Sequence, residues 1–239
     1  MASINGSEST SSDRLRPSRN VELAEVSVFL FLVVPSMILS FFAFKQGTLS
    51  FTLVAFSAML RDLSLVALIL FFLWHNAEPV SSMGWTFKKP WNDIALAIVL
   101  FIPLSFGIAW IETLLRLAGL SVPSKPLPSF LTPKGPAEYL LAVLLVGIVA
   151  VTEETIFRGY LILRLKAITA SPALAALLSS VFFSLGHGYE GSAGVITVGL
   201  MGLVFAFIYL WRQSLVTPMV MHFLQDFIGV ILLPLLGKG

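Results

Sequence analysis

The sequence predicts an all-α, polytopic transmembrane helix bundle, and three observations carry that reading. Of 239 residues, 57% are hydrophobic and 12% charged, a composition typical of membrane proteins rather than soluble domains. Apolar runs recur at 26–44, 51–74, 94–118, 137–163, 172–187, 192–211 and 218–236, most of them close to the ~20 residues that cross ~30 Å of hydrocarbon. Polar or proline-bearing breaks separate the runs. The expected count is about seven membrane helices, or eight if Pro35, Pro103 or Pro234 splits one of them.

Residues 1–22 read as a disordered polar tail. Ser3, Ser7, Ser9, Ser11, Ser12 and Ser18 fall there without the apolar stretch of a secretory signal. Residues 23–136 hold the N-terminal transmembrane helices and an interfacial segment at 79–92. In that segment Met83-Gly84-Trp85 precedes Lys88, Lys89, Pro90 and Trp91, aromatics suited to the headgroup level and lysines to phosphates. Pro123, Pro126, Pro128, Pro133 and Pro136 make 119–136 a connecting loop. Residues 137–236 form the third region. Helix starts are expected at Ser171-Pro172 and Thr217-Pro218, a hydroxyl at N-cap before proline. Gly135-Pro136 followed by Glu138 is a further start, its acid near the positive end of the helix dipole.

A formal charge of +2 gives no footing for nucleic acid, and the absence of cysteine excludes disulfides, thiolate nucleophiles and cysteine-ligated metals. With the N-terminus cytoplasmic, Arg14, Arg16, Arg19, Lys88, Lys89, Arg164, Lys166 and Arg212 fall on the inner side. Lys45, Lys125, Lys134 and Lys238 fall outside, so the basic bias supports this orientation.

Chemistry concentrates in three short patterns: Glu153-Glu154-x-x-x-Arg158, Phe183-x-x-x-His187 and His222-x-x-x-Asp226. Ionisable groups cost a few kcal/mol each at the bilayer centre, so they persist there mainly where they pair or work. Glu154 and Arg158 are four apart and share a helix face, whereas Glu153 lies about 100° around and has no such local partner. Two adjacent carboxylates suit a group that takes and gives a proton. The structural alternative is an ion pair plus one surplus glutamate stapling helices together. An aromatic one turn before His187 is a weak signal by itself. His222 with Asp226 is stronger, because a carboxylate on the same face can fix an imidazole's tautomer or share a ligand sphere with it.

The depths agree in part. Glu153 lies about 18 Å above a turn near Leu165 and His187 about 22 Å above it, so the two can meet. His222 is only about 6 Å past a start at Pro218, so the preceding helix must end higher than the loop at 166–171. Arg61 and Asp62, Glu112 and Arg116, and His75 read as structural or interfacial. Arg61 and Asp62 are adjacent rather than on one face and are expected to pair with other helices; Glu112 and Arg116 form a plain i,i+4 pair.

The sequence has no G-x-S-x-G elbow and no H-E-x-x-H pair. An aspartyl dyad would have only Asp62 and Asp226 to draw on. Glu153, His187, His222 and Asp226 suit two water-activating designs: direct general-base attack, or a zinc site that keeps one position for water. As zinc ligands all four residues have suitable chemistry, and Asp226 beside His222 tips the expectation towards metal.

Together the three patterns, from Glu153-Glu154-Thr155-Ile156-Phe157-Arg158 to His222-Phe223-Leu224-Gln225-Asp226, resemble the signatures of the CPBP intramembrane proteases. That family includes the type II CAAX prenyl endopeptidases and bacterial members linked to bacteriocin immunity. The resemblance covers about 137–236, and Met83-Gly84-Trp85 looks like the family's approach to its core. It implies that Glu153 and His187 activate water, that His222 and residue 226 hold the oxyanion, and that Glu154, Arg158 and Phe183 support them. It implies a membrane-embedded peptide or lipidated protein as substrate and a multi-pass location, expected in a bacterial inner membrane. The CAAX-type members favour asparagine at the last position. Asp226, when ionised, cannot donate to an oxyanion. Two readings of another class stay open: a non-catalytic immunity or scaffold protein, and a proton-coupled carrier, although no inverted repeat supports the latter.

Overall fold

The computed structural model describes residues 17–45, 49–121 and 129–237. Every regular element among them is helical. Helices α1 (Arg19–Lys45), α2 (Phe51–His75) and α3 (Pro90–Leu117) are followed by α4 (Gly135–Glu154), which runs through a π-helical stretch, Thr155–Leu161, into α5 (Ile162–Thr169). After α6 (Pro172–Leu185) and α7 (Gly191–Arg212), α8 (Val216–Asp226) passes through a second π-helical stretch, Phe227–Leu232, into the short α9 (Leu233–Leu235). Helix α1 thus begins inside the segment 1–22 expected to be disordered, and residues 1–16 lie outside the described residues.

These elements make seven rods among the described residues, close to the apolar runs of the sequence. Five of them are long and apolar enough to cross a membrane: Phe51–His75, Pro90–Leu117, Gly135–Thr169, Gly188–Arg212 and Val216–Leu235. The expected seven or eight spans are thus not confirmed, five being candidates by length and composition among the described residues. At 14 residues, α6 is about 21 Å long, short of the ~30 Å of hydrocarbon. No eighth helix arises at proline, because α1 runs through Pro35 and α3 through Pro103 without a break. Pro234 acts differently. It has no N–H for the carbonyl four residues back, and the helix widens to π geometry just before it.

Helix starts follow local chemistry, with one exception. Ser171 accepts a hydrogen bond from the Leu174 N–H (3.3 Å) ahead of Pro172, and Glu138 Oε2 accepts from the Lys134 N–H (2.6 Å) at the start of α4. Thr217 does not cap α8. The helix already begins at Val216, whose N–H is taken by Ser214 Oγ (3.3 Å), and Thr217 Oγ1 donates to the Asp93 carbonyl (3.2 Å).

Packing relies on small residues, because lipid tails leave close contact rather than hydrophobicity to hold helices together. Helix α2 lies on α4, with Ala55 and Ala142 fully buried in one cluster with Met59 and Val146. Helix α3 packs on α7 and α8 and turns Val99, Phe106, Trp110 and Leu117 outward. The Met83-Gly84-Trp85 segment is not only interfacial. Met83 is buried, and Trp85 Nε1 donates to Thr155 Oγ1 (3.2 Å) at the start of the first π stretch. Gly84 has φ +83°, and a Cβ there would come within 2.5 Å of the Tyr209 ring, so only glycine fits. Its carbonyl accepts from the Leu215 N–H (3.0 Å). Leu215 in turn packs on Gly159, ten residues before Thr169 or about 15 Å along the helix. The α7–α8 linker therefore sits above the turn at 166–171, as the depth of His222 requires.

Candidate functional site

The three patterns converge. On α4, Glu154 Oε1 accepts from Arg158 Nη1 (2.9 Å), the expected i,i+4 pair, with both side chains buried. The same oxygen also accepts from His222 Nδ1 on α8 (2.8 Å). A carboxylate oxygen accepts, so Nδ1 carries the proton. His222 Nε2 then faces Glu153 Oε2 at 3.9 Å and Asp226 Oδ2 at 3.5 Å. Asp226 thus lies nearer Nε2, while Nδ1 is held by Glu154.

Both motif helices change form beside the site. Glu154 and Asp226 are each the last α-helical residue before a π stretch, a geometry found often at functional sites. Side chains also bond the backbone in and beside the first stretch. Ser179 Oγ donates to the Phe157 carbonyl (2.6 Å), and Thr155 Oγ1 to the Val151 carbonyl (2.7 Å).

Phe183 is the platform of the cluster. Its ring stands edge-on to His222 with centroids 6.0 Å apart, lies 4.9 Å from His187, and has the Arg158 Cζ 4.2 Å above it. Gly202 of α7 leaves room for this stack, since a Cβ there would lie 3.0 Å from Arg158 Nη2 and 3.1 Å from Phe183 Cδ1. The aromatic one turn before His187, a weak signal in sequence, thus has a definite packing duty.

His187 follows the end of α6, and its Nδ1 donates to the Phe183 carbonyl (3.2 Å). A carbonyl only accepts, so Nε2 is left with its lone pair. The ring lies within electrostatic reach of Glu153, but no hydrogen bond or ion pair joins them among the described residues.

Arg61 and Asp62 of α2 also belong to this cluster, and Arg61 reaches another helix, α4, as expected. Arg61 Nε donates to Asp62 Oδ1 (2.8 Å), and Arg61 Nη2 lies 4.0 Å from Glu153 Oε1. Arg61, Asp62 and Glu153 line a narrow cavity of about 10 Å³, together with Val33, Met37, Leu65, Ile156 and Phe157, about the room one water needs. The sequence signal for this was the same as for Glu153, an ionisable pair half-way along an apolar span. Glu112 and Arg116 form the plain pair expected of them (3.2 Å), and His75 stacks on Phe71.

Among the described residues, four buried side-chain polar atoms have no hydrogen-bond partner: Asp62 Oδ2, Glu153 Oε2, Glu154 Oε2 and Arg158 Nη2. All four belong to this cluster. The zinc set Glu153, His187, His222 and Asp226 is not brought together as ligands. Among the described residues no group of three or more His, Asp or Glu could hold a metal ion, and zinc ligation needs distances near 2 Å.

Fold and site define an integral membrane protein of helices with a buried, partly unsatisfied acid–imidazole cluster at their centre. Residues 135–228 match the family model described as type II CAAX prenyl endopeptidase Rce1-like. The match spans all three motifs, and the family resemblance read from them is thereby shown for this part of the chain: residues 135–228 are Rce1-like. The family implies a protease with a membrane-associated substrate. Neither a curated relative nor a solved structure matches the chain.

Proposed function

We propose that this protein is an intramembrane endopeptidase that hydrolyses a peptide bond in a membrane-embedded or lipidated substrate, with Glu153 as the base that activates water. The observation that carries the reading is the meeting of Glu153 on α4 with His222 on α8 (3.9 Å), beside orphaned carboxylate oxygens. Buried polar atoms without partners are destabilising and are retained where something is to be bound. Glu153 takes a proton from water as the water oxygen attacks the peptide carbonyl, and later gives it to the departing amine. His222, its tautomer held by Glu154, stands across the carboxylate and can steady it or the developing intermediate. His187 offers Nε2 as a second acceptor for the same water. An apolar groove of about 700 Å³ runs along Leu63 and the face of α4 from Ala137 to Thr152, which suits a substrate lying in the bilayer.

The test is Glu153→Gln in the purified full-length protein, with a fluorogenic prenylated peptide ending in the CAAX pattern as probe. Cleavage should fall by about 10²–10⁴-fold while the melting temperature in detergent holds. Persisting cleavage overturns the base assignment, and simple unfolding supports the helix-staple reading. A base mechanism also predicts that chelator-treated protein stays active and that Asp226→Asn is tolerated. Loss of activity together with bound zinc would restore the metal design.

The same reading places the N-terminus and the Lys88-Lys89 segment in the cytoplasm. The cysteine-free sequence makes this simple to measure, because single cysteines at Ala118 and Lys166, both exposed at opposite helix ends, should label from opposite sides of the membrane. Labelling from one side refutes the topology.

A further inference from the structure

We propose that Arg61 is a catalytic residue: its guanidinium donates to the oxyanion of the tetrahedral intermediate, with Asp62 as the positioning residue that holds it. This inference rests on the endopeptidase reading above and deepens it.

The chemistry of the reaction asks for a donor beside the base. When water adds to the peptide carbonyl, its oxygen bonds to carbon, its proton passes to Glu153, and the carbonyl electron pair moves onto oxygen. Collapse re-forms the C=O bond and breaks C–N, and the proton on Glu153 goes to the amine. Water is the only co-reactant, and products are an acid and an amine. The charge on oxygen in between needs a donor within ~3 Å of it and therefore a few ångströms from the base.

The site's donors can be compared one by one. Asp226 stands where an amide could donate, but a carboxylate only accepts. His222 gives Nδ1–H to Glu154, and its Nε2 lies between two carboxylates at 3.9 Å and 3.5 Å. His187 gives Nδ1–H to the Phe183 carbonyl, which leaves a lone pair on Nε2. Arg158 is sealed under Phe183 and Phe205, at 1% exposure.

Arg61 remains. It is always charged and presents a fork of donors. Its Nη2 is 4.0 Å from Glu153 Oε1, on the side of the carboxylate away from His222. Its side chain is 37% exposed although it lies ten residues into α2 and fourteen from its end, that is, about 15 Å and about 21 Å from the two ends of the helix. An arginine left open at that depth faces a water-filled or substrate-filled space, not lipid. The adjoining cavity, about 10 Å³ and lined by Arg61, Asp62 and Glu153, is sized for the reacting water. Asp62 is buried and binds Arg61 Nε (2.8 Å), which fixes the guanidinium plane and leaves the Nη groups to turn towards substrate.

The experiment compares wild type, Glu153→Gln, Arg61→Ala, Arg61→Lys and Asp62→Asn with the same prenylated probe peptide, reading kcat and KM separately. Arg61→Ala should lower kcat by about 10²–10³-fold with KM within threefold, and millimolar guanidinium ion should restore at least tenfold. Guanidinium should not rescue Glu153→Gln. Arg61→Lys should fall between, and Asp62→Asn should lose about tenfold in kcat. Arg61→Ala within threefold of wild-type kcat, a loss confined to KM, or no response to guanidinium overturns the inference while the endopeptidase reading stands. If Arg61→Ala does not fold, Arg61→Lys decides, and unchanged kcat there counts against the role. A wild-type protein that leaves the peptide intact defeats the endopeptidase reading, and Arg61's role with it.

Discussion

Two buried charge clusters lie along the same rod, α4 to α5, and they are built differently. In one, Arg164 donates to Glu25 Oε2 (2.9 Å) and to both oxygens of Glu78. Tyr160 donates to Glu25 Oε2 (3.0 Å), and Asn76 donates to its other oxygen. No polar atom of these side chains is buried without a partner. In the other, Asp62, Arg61, Glu153, His222, Glu154 and Arg158 form a chain of alternating character across α2, α4 and α8, and it holds the four orphaned atoms. A cluster that fastens helices satisfies itself, because a half-satisfied buried network is costly. One that must receive water and substrate keeps positions open.

The contrast can be broken by substitution. The largest effect expected is from Glu153→Gln, a loss of about 10²–10⁴-fold in cleavage with a nearly unchanged melting temperature, since its contacts with Arg61 (4.0 Å) and His222 (3.9 Å) are long. Arg164→Met should do the reverse. It leaves Glu25 and Glu78 without their cation and should cost about 3–5 kcal/mol, read as a lowered melting temperature in detergent, with the activity of the surviving folded fraction intact. If Arg164→Met stops catalysis in protein that melts normally, the two clusters are not separate in role.

Smaller effects sharpen the same picture. Gly84→Ala forces a Cβ against the Tyr209 ring at positive φ and should destabilise by about 1–3 kcal/mol, with activity falling as Trp85 and Leu215 shift. Wild-type stability in that variant would show that the 83–85 segment does not position the site. Glu112→Ala breaks an exposed i,i+4 pair and should change stability by only about 0.3 kcal/mol. A large shift there would mean that exposed pairs matter as much as buried ones in this protein.

Some of this was legible in the sequence because it depends on local geometry. Four-residue spacing places Glu154 against Arg158 and Glu112 against Arg116 on any α-helix. Ser171-Pro172 and Glu138 start their helices by contacts within one turn. The joint order of three motifs pointed to the family whose model residues 135–228 match. Thr217 does not cap because the helix starts two residues early, which turns a cap into an inter-helix contact, here with Asp93. The burial of Arg164 with Glu25 and Glu78 was not legible, because its partners come from distant parts of the chain.

What the sequence by itself determined is the helical character of the chain, its membrane-length apolar runs and the choice of residues at the centre. Only the tertiary structure decided how those residues are shared out: Glu154 to His222 Nδ1, Glu153 between Arg61 and His222 Nε2, and Asp226 beside that same Nε2. The physical reason is rotation and level. Adjacent glutamates point about 100° apart, and which one meets α8 depends on how each helix is turned, tilted and raised. Contacts such as Ala55 with the α4 face, Gly202 beneath Arg158 and Leu215 against Gly159 set those angles, and they join residues far apart in the chain.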